Sequence, residues 1–164
     1  MEKIVTILED ESRGPPGGKI VVVGPGYGPY SRFGMEDKAR YDVYLTDKRI
    51  IAAVVFSTSD ATSQILEIAL WQAGLEFKKI RERRRQELKG KTPDEILHAH
   101  PESFEVPYEK IQSIKLKKGL FGANLEIEAP WEGKVGKFNV PVPKSKIDEV
   151  KRFLDVYLPG KVVK

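Results

Sequence analysis

The sequence predicts an α+β fold that is mostly β: a curled antiparallel sheet or barrel of seven to eight short strands, a C-terminal capping helix, and a long helical insertion. Three observations predict it. Both ends of the chain carry short β-branched or alternating runs separated by Gly and Pro clusters. The middle switches to helical spacing, with Leu66, Ala69, Leu70, Ala73, Phe77, Ile80 and Leu88 recurring on one face. The last apolar stripe, Ile147, Val150, Leu154 and Leu158, again has the helical period.

In chain order, "EKIVTILED" and "KIVVVG" read as strands around the turn-former stretch "ESRGPPGG". A second loop, "GPGYGPYSRFG", leads into "YDVYLTDKRIIAAVVF". There Tyr41, Val43 and Leu45 alternate with Asp42, Tyr44 and Thr46, and Asp47-Lys48 turns the chain into Ile50, Ile51, Val54 and Val55 as a hairpin. Asp60 is placed to cap the long helix and Gly90 to stop it. Thr92-Pro93-Asp94-Glu95 starts a short second helix, with Thr92 as cap and Glu95 reaching back; it ends near Pro101. The strands "FEVPY", "IQSIKLKK", "ANLEIEAP" and "KFNVPVP" follow, with turns at Gly119, Gly122, Gly133 and Gly136. Ser145 is the expected cap of the final helix, and Pro159-Gly160 its end.

A chain of 164 residues supports one well-buried core and is too short for two full domains. Residues 1–164 are therefore read as a single domain, with 60–100 as the insertion between strands. No apolar stretch approaches the roughly 20 residues of a membrane span, and Met1-Glu2-Lys3-Ile4 does not open a secretory signal. A cytoplasmic location is expected. The absence of cysteine excludes disulfides, thiolate metal sites and a cysteine nucleophile. Two Asn, four Gln and two Met stand against 28 basic and 24 acidic residues, a thermophile-like composition. The net charge of +4 is local: residues 76–91 hold eight basic and three acidic side chains.

The stretch "YLTDKRIIA", followed later by "VPYEKIQSIKLKKG", an alternating strand and a closing helix, resembles the pleckstrin-homology-like (PH-like) domains of the GRAM and prokaryotic types. The likeness covers residues 41–56 and 104–158, and the helical segment departs from a minimal member as an insertion. It implies a non-catalytic binding module whose ligands are acidic lipid head groups or peptides. Lys48 and Arg49 fall on the motif's basic positions, which membership would make turn residues that sometimes face a ligand.

Gly24, Gly26 and Gly28 follow a strand, but Pro25 and Pro29 interrupt and no helix opens there, so a dinucleotide loop is set aside. His98 and His100 have no third ligand to complete a metal site and read as a surface helix end. No cofactor is expected. No nucleophile elbow or histidine-based triad appears, which leaves an enzyme as the last reading.

On the long helix, Lys78, Arg81, Arg85 and Lys89 fall within about 80° of arc, beside an apolar seam of Phe77, Ile80 and Leu88. Such a ridge suits an anionic lipid surface or a nucleic-acid backbone. The simpler alternative is a solvated face whose stems cover a buried one, with Glu76–Lys79, Glu82–Arg85 and Arg83–Glu87 pairing at helix-neighbour spacing. A continuous helix over 60–89 would reach about 45 Å, longer than the ~35 Å body expected of the rest. A break near Gly74 or a homodimer covering the Phe77-Ile80-Leu88 seam would resolve that. The leading expectation is a PH-like binding module for an anionic lipid surface or a protein partner. Candidate ligand residues are Lys48, Arg49, Lys78, Arg81, Arg85 and Lys89. A nucleic-acid-binding protein using residues 78–91, with Trp71 nearby, and a structural dimer module are the alternatives.

Overall fold

A computed structural model describes residues 1–9, 22–23, 39–57, 75–131 and 133–163. Its strands, in chain order, are β1 (Ile4–Leu8), β2 (Val22–Val23), β3 (Ala39–Thr46), β4 (Arg49–Ser57), β5 (Phe104–Pro107), β6 (Ser113–Lys118), β7 (Gly122–Trp131) and β8 (Lys134–Pro143). The helices are α1 (Leu75–Leu88), α2 (Pro93–His98) and α3 (Ile147–Tyr157). All strand pairs are antiparallel and fall into two four-stranded sheets, ordered β1-β3-β4-β5 and β2-β8-β7-β6.

The mostly-β antiparallel architecture with its C-terminal helix is as expected of a curled sheet or barrel, but among the described residues the strands form two sheets and neither closes into a barrel. Strand β2 already pairs with β8 in the second sheet, and the later change of sheet comes after β5, whose pairing ends at Pro107 opposite Arg49. Proline offers no N–H to continue a ladder. A 3₁₀ turn over Tyr108–Lys110 then carries the chain to β6 in the other sheet.

The main core lies between the sheets and is closed by α3. Val43 and Leu45 of β3, Ile50 and Ala52 of β4, Leu125 and Ile127 of β7, and Phe138 and Val140 of β8 meet Val150, Phe153 and Leu154 of α3. Phe104 touches both Trp131 and Phe138 edge-on or tilted, with ring centroids 4.9 and 5.7 Å away, and ties the two sheets at one end. Helix α3 begins later than the sequence suggested. A 3₁₀ turn over Lys144–Lys146 takes Ser145 out of the cap position, and Lys146 caps without a side-chain bond.

A second apolar layer covers the outer face of the first sheet. Leu88 of α1 and Ile96 of α2 pack on Tyr44, Ile51 and Ala53. Strand β4 is thus buried on both faces, which accounts for its unbroken apolar run Ile50–Val55. Leu88 is 5% exposed, so its cover comes from the same chain. Burying a leucine or isoleucine in this way contributes about 1.5–3 kcal/mol each. Among the described residues no helix is long and apolar enough to cross a membrane.

Two local signals act as the sequence suggested. Thr92 accepts the Glu95 N–H and donates its hydroxyl to the Glu95 carboxylate. Gly90, at φ +80°, sits just past α1 in the left-handed region that favours glycine. Asp60, Trp71, Gly24, Gly26 and Gly28, and the question of a break near Gly74, lie outside the described residues.

Candidate functional site

The Thr46-Asp47-Lys48-Arg49 turn binds its own chain. The Thr46 hydroxyl accepts the N–H groups of Lys48 and Arg49 and donates to Glu2 at 2.6 Å, while Lys3 near the N-terminus and Asp47 of the turn exchange two bonds. The Arg49 guanidinium reaches Glu2, Asp94 and Glu105 at 2.5–2.9 Å. Burial works against its charge, yet these bonds outweigh burial and raise its pKa above the ordinary value. Three carboxylates from the N-terminus, α2 and β5 already occupy this arginine. Of the two basic motif residues, Lys48 alone is exposed.

The ridge on α1 is divided in the same way. Arg85 turns inward and holds Asp42 of β3 with two bonds of 2.7 and 2.8 Å, and its Nη1 also meets Glu82 at 3.1 Å. The Asp42 side chain is 1% exposed and that of Arg85 12%, so this is a buried pair pinning α1 to the sheet. Burial again opposes the Arg85 charge and the bonds to Asp42 override it. Lys78 and Lys89 are exposed, Arg81 and Ile80 are half-buried, and the Phe77 side chain lies outside the described residues.

The histidines do not share a site. His98 is exposed, with its Nδ1 at 2.8 Å from the Asp94 carbonyl. His100, expected at the surface, is buried, and its Nδ1 accepts the Glu102 N–H. The chain folds back at Pro101 to start β5, and that turn draws His100 inside. Among the described residues no group of three or more His, Cys, Asp or Glu is placed to hold a metal ion.

The site that stands out lies elsewhere, at the tip joining β6 to β7. The Gly119 N–H donates to the Gly122 carbonyl at 2.7 Å and closes the turn Gly119-Leu120-Phe121-Gly122. Gly122 has φ +153°, and a Cβ there would stand 2.6 Å from the Val142 carbonyl oxygen, so only glycine lets β8 approach. Held by this tight closure, Leu120 and Phe121 project into solvent, 91% and 95% exposed. Elsewhere a surface leucine is ordinary; two adjacent large apolar side chains at one protruding tip are not.

Lysines surround that tip. Lys117, Lys118, Phe121 and Lys144 line one open cavity of about 450 Å³, with Asn124, Pro141 and Pro143. Lys117 leans on Glu126 at 2.9 Å. Lys118 contacts Lys151 of α3, and this contact with a second ammonium group lowers its pKa, offset in part by Asp148. Two ammonium groups near one another repel, and an anion beside them would relieve that repulsion. The signal was present in the sequence as Lys117-Lys118-Gly119-Leu120-Phe121-Gly122, an apolar pair inside a glycine turn behind two lysines. Only the fold brings Lys144 and Lys151 to it. Compared with models of known protein families, with curated proteins and with solved structures, the chain matches none.

Proposed function

We propose that the chain is a non-catalytic, PH-like binding module that works at an anionic lipid surface, through the molecular end formed by the β6–β7 turn and the start of α3. The observation that carries this reading is the gathering of Lys117, Lys118 and Lys144 around one cavity at the turn, with Lys151 of α3 near enough to Lys118 to lower its pKa. The alternating strands, their closing helix and the "YLTDKRIIA" hairpin support the PH-like part of the reading. Arg49 and Arg85 serve instead to tie elements together, and Lys48, Lys78 and Lys89 are secondary contributors at most.

Near an anionic leaflet each lysine contributes about 1 kcal/mol, screened by salt. The test is co-sedimentation with phosphatidylcholine vesicles, with and without phosphatidylserine, across a sodium chloride series. Binding is expected only with phosphatidylserine and weakens as salt rises. Lys118→Ala and Lys151→Ala each weaken it about fivefold, whereas Lys78→Ala changes it little. Equal binding to both vesicle types, or steeply salt-dependent binding to RNA with none to vesicles, overturns the proposal.

A further inference from the structure

We infer that Leu120 and Phe121 enter the hydrocarbon edge of the bilayer, so that the β6–β7 turn is a membrane wedge with its lysines at head-group level. This rests on the reading of the lysine cluster as an anionic-lipid surface and names how that surface is held. Three features converge on it. The two side chains are almost wholly exposed and adjacent at the end of a hairpin. The turn satisfies part of its own backbone through the Gly119–Gly122 bond, which lowers the penalty for carrying peptide groups out of water. Lys117 and Lys118 end β6 just before the apolar pair, and Lys144 lines the same cavity as Phe121. An apolar tip with a basic collar matches the order of an anionic interface, hydrocarbon beyond phosphate.

Size favours a bilayer over a protein groove. A specific protein interface buries on the order of 1,000 Å² or more, far beyond a two-residue knob. A lipid surface needs no such area, because the wedge adds to an electrostatic attraction already present. A nucleic-acid backbone would use the lysines but has no role for an unstacked leucine beside them.

The chain has no cysteine, so a single introduced thiol can be labelled cleanly. Phe121→Cys carrying an environment-sensitive fluorophore is mixed with vesicles of equal parts phosphatidylcholine and phosphatidylserine. Val156→Cys, at an exposed position of α3, serves as the reference. Blue-shifted, brighter emission is expected at position 121 and not at 156. Leu120→Asp with Phe121→Asp is expected to lower vesicle partitioning at least about tenfold while the thermal midpoint stays that of the native chain. Salt-sensitive vesicle binding with no spectral change at 121 overturns the wedge and leaves the electrostatic reading standing. No vesicle binding at all overturns both. A shift produced without vesicles, by RNA or by raising the protein concentration, assigns the tip to RNA or to a second copy of the chain and overturns the wedge.

Discussion

Asp42 alternates with the core-facing Val43 and so sits on the outer face of β3, where it is 1% exposed beneath α1. Its charge is tolerable there because Arg85 meets it with two bonds. Removing one partner of such a pair leaves a buried charge, typically at a cost of about 3–5 kcal/mol. Arg85→Ala is accordingly expected to lower the unfolding free energy by about that much in denaturant titration. Arg85→Met combined with Asp42→Leu should recover most of the loss, because an apolar pair removes the buried charge as well. At Lys118 the sign is the reverse, since its neighbour is a cation. Lys151→Ala should move the Lys118 pKa back up toward the ordinary lysine value of 10.5, read by side-chain NMR titration.

At the scale of elements, local chemistry and close approach act separately. The Thr92 cap is a local device, and Thr92→Ala should cost about 1 kcal/mol in thermal or chemical unfolding. Gly122 is different, because its constraint comes from β8 across the sheet. Gly122→Ala would press a methyl group against the Val142 carbonyl from a strained φ, and should lower the thermal midpoint and loosen the β6–β7 tip. Helix α3 shows where local signals were insufficient. Its apolar stripe was legible, and Val150, Leu154 and Leu158 are all buried as the period required. Ser145 looked like a cap but lies in a 3₁₀ turn fixed by how β8 hands the chain to the helix. The exposed edge of β6 is also managed by distant residues. Val162 bridges Ile114 in parallel, and Lys161 donates to the Tyr108 and Ile111 carbonyls.

For the whole molecule, acid sensitivity follows from carboxylates that link elements far apart in sequence. The Arg49 bond and charge hold Asp94 below its usual 3.8, and a hydrogen bond from Thr6, then Lys146, holds Glu149 below its usual 4.5. Above those values both groups are ionised whether folded or not, so their stabilisation is complete. As pH falls below them the unfolded chain takes up protons first, and the contribution is lost by the time the folded groups protonate. Thermal unfolding followed across pH should therefore show midpoints falling from about pH 4.5 downward, with a shallower fall in Asp94→Asn combined with Glu149→Gln. The same long-range logic separates what could be read early from what could not. The sequence by itself determined the strand and helix order, the β3–β4 hairpin, the Thr92 start, the Gly90 stop and the α3 stripe, because periodicity, caps and turn residues act over a few positions. Tertiary structure alone decided that the eight described strands form two sheets, with β2 joining β6, β7 and β8 across the chain, and that α1 lies on β4. It also decided that Arg49 and Arg85 are consumed by Glu2, Asp94, Glu105 and Asp42, and that Lys144 and Lys151 join the Leu120-Phe121 tip. Each of these depends on which distant backbone lies alongside, and a side chain's partner is set by that proximity rather than by its neighbours in the chain.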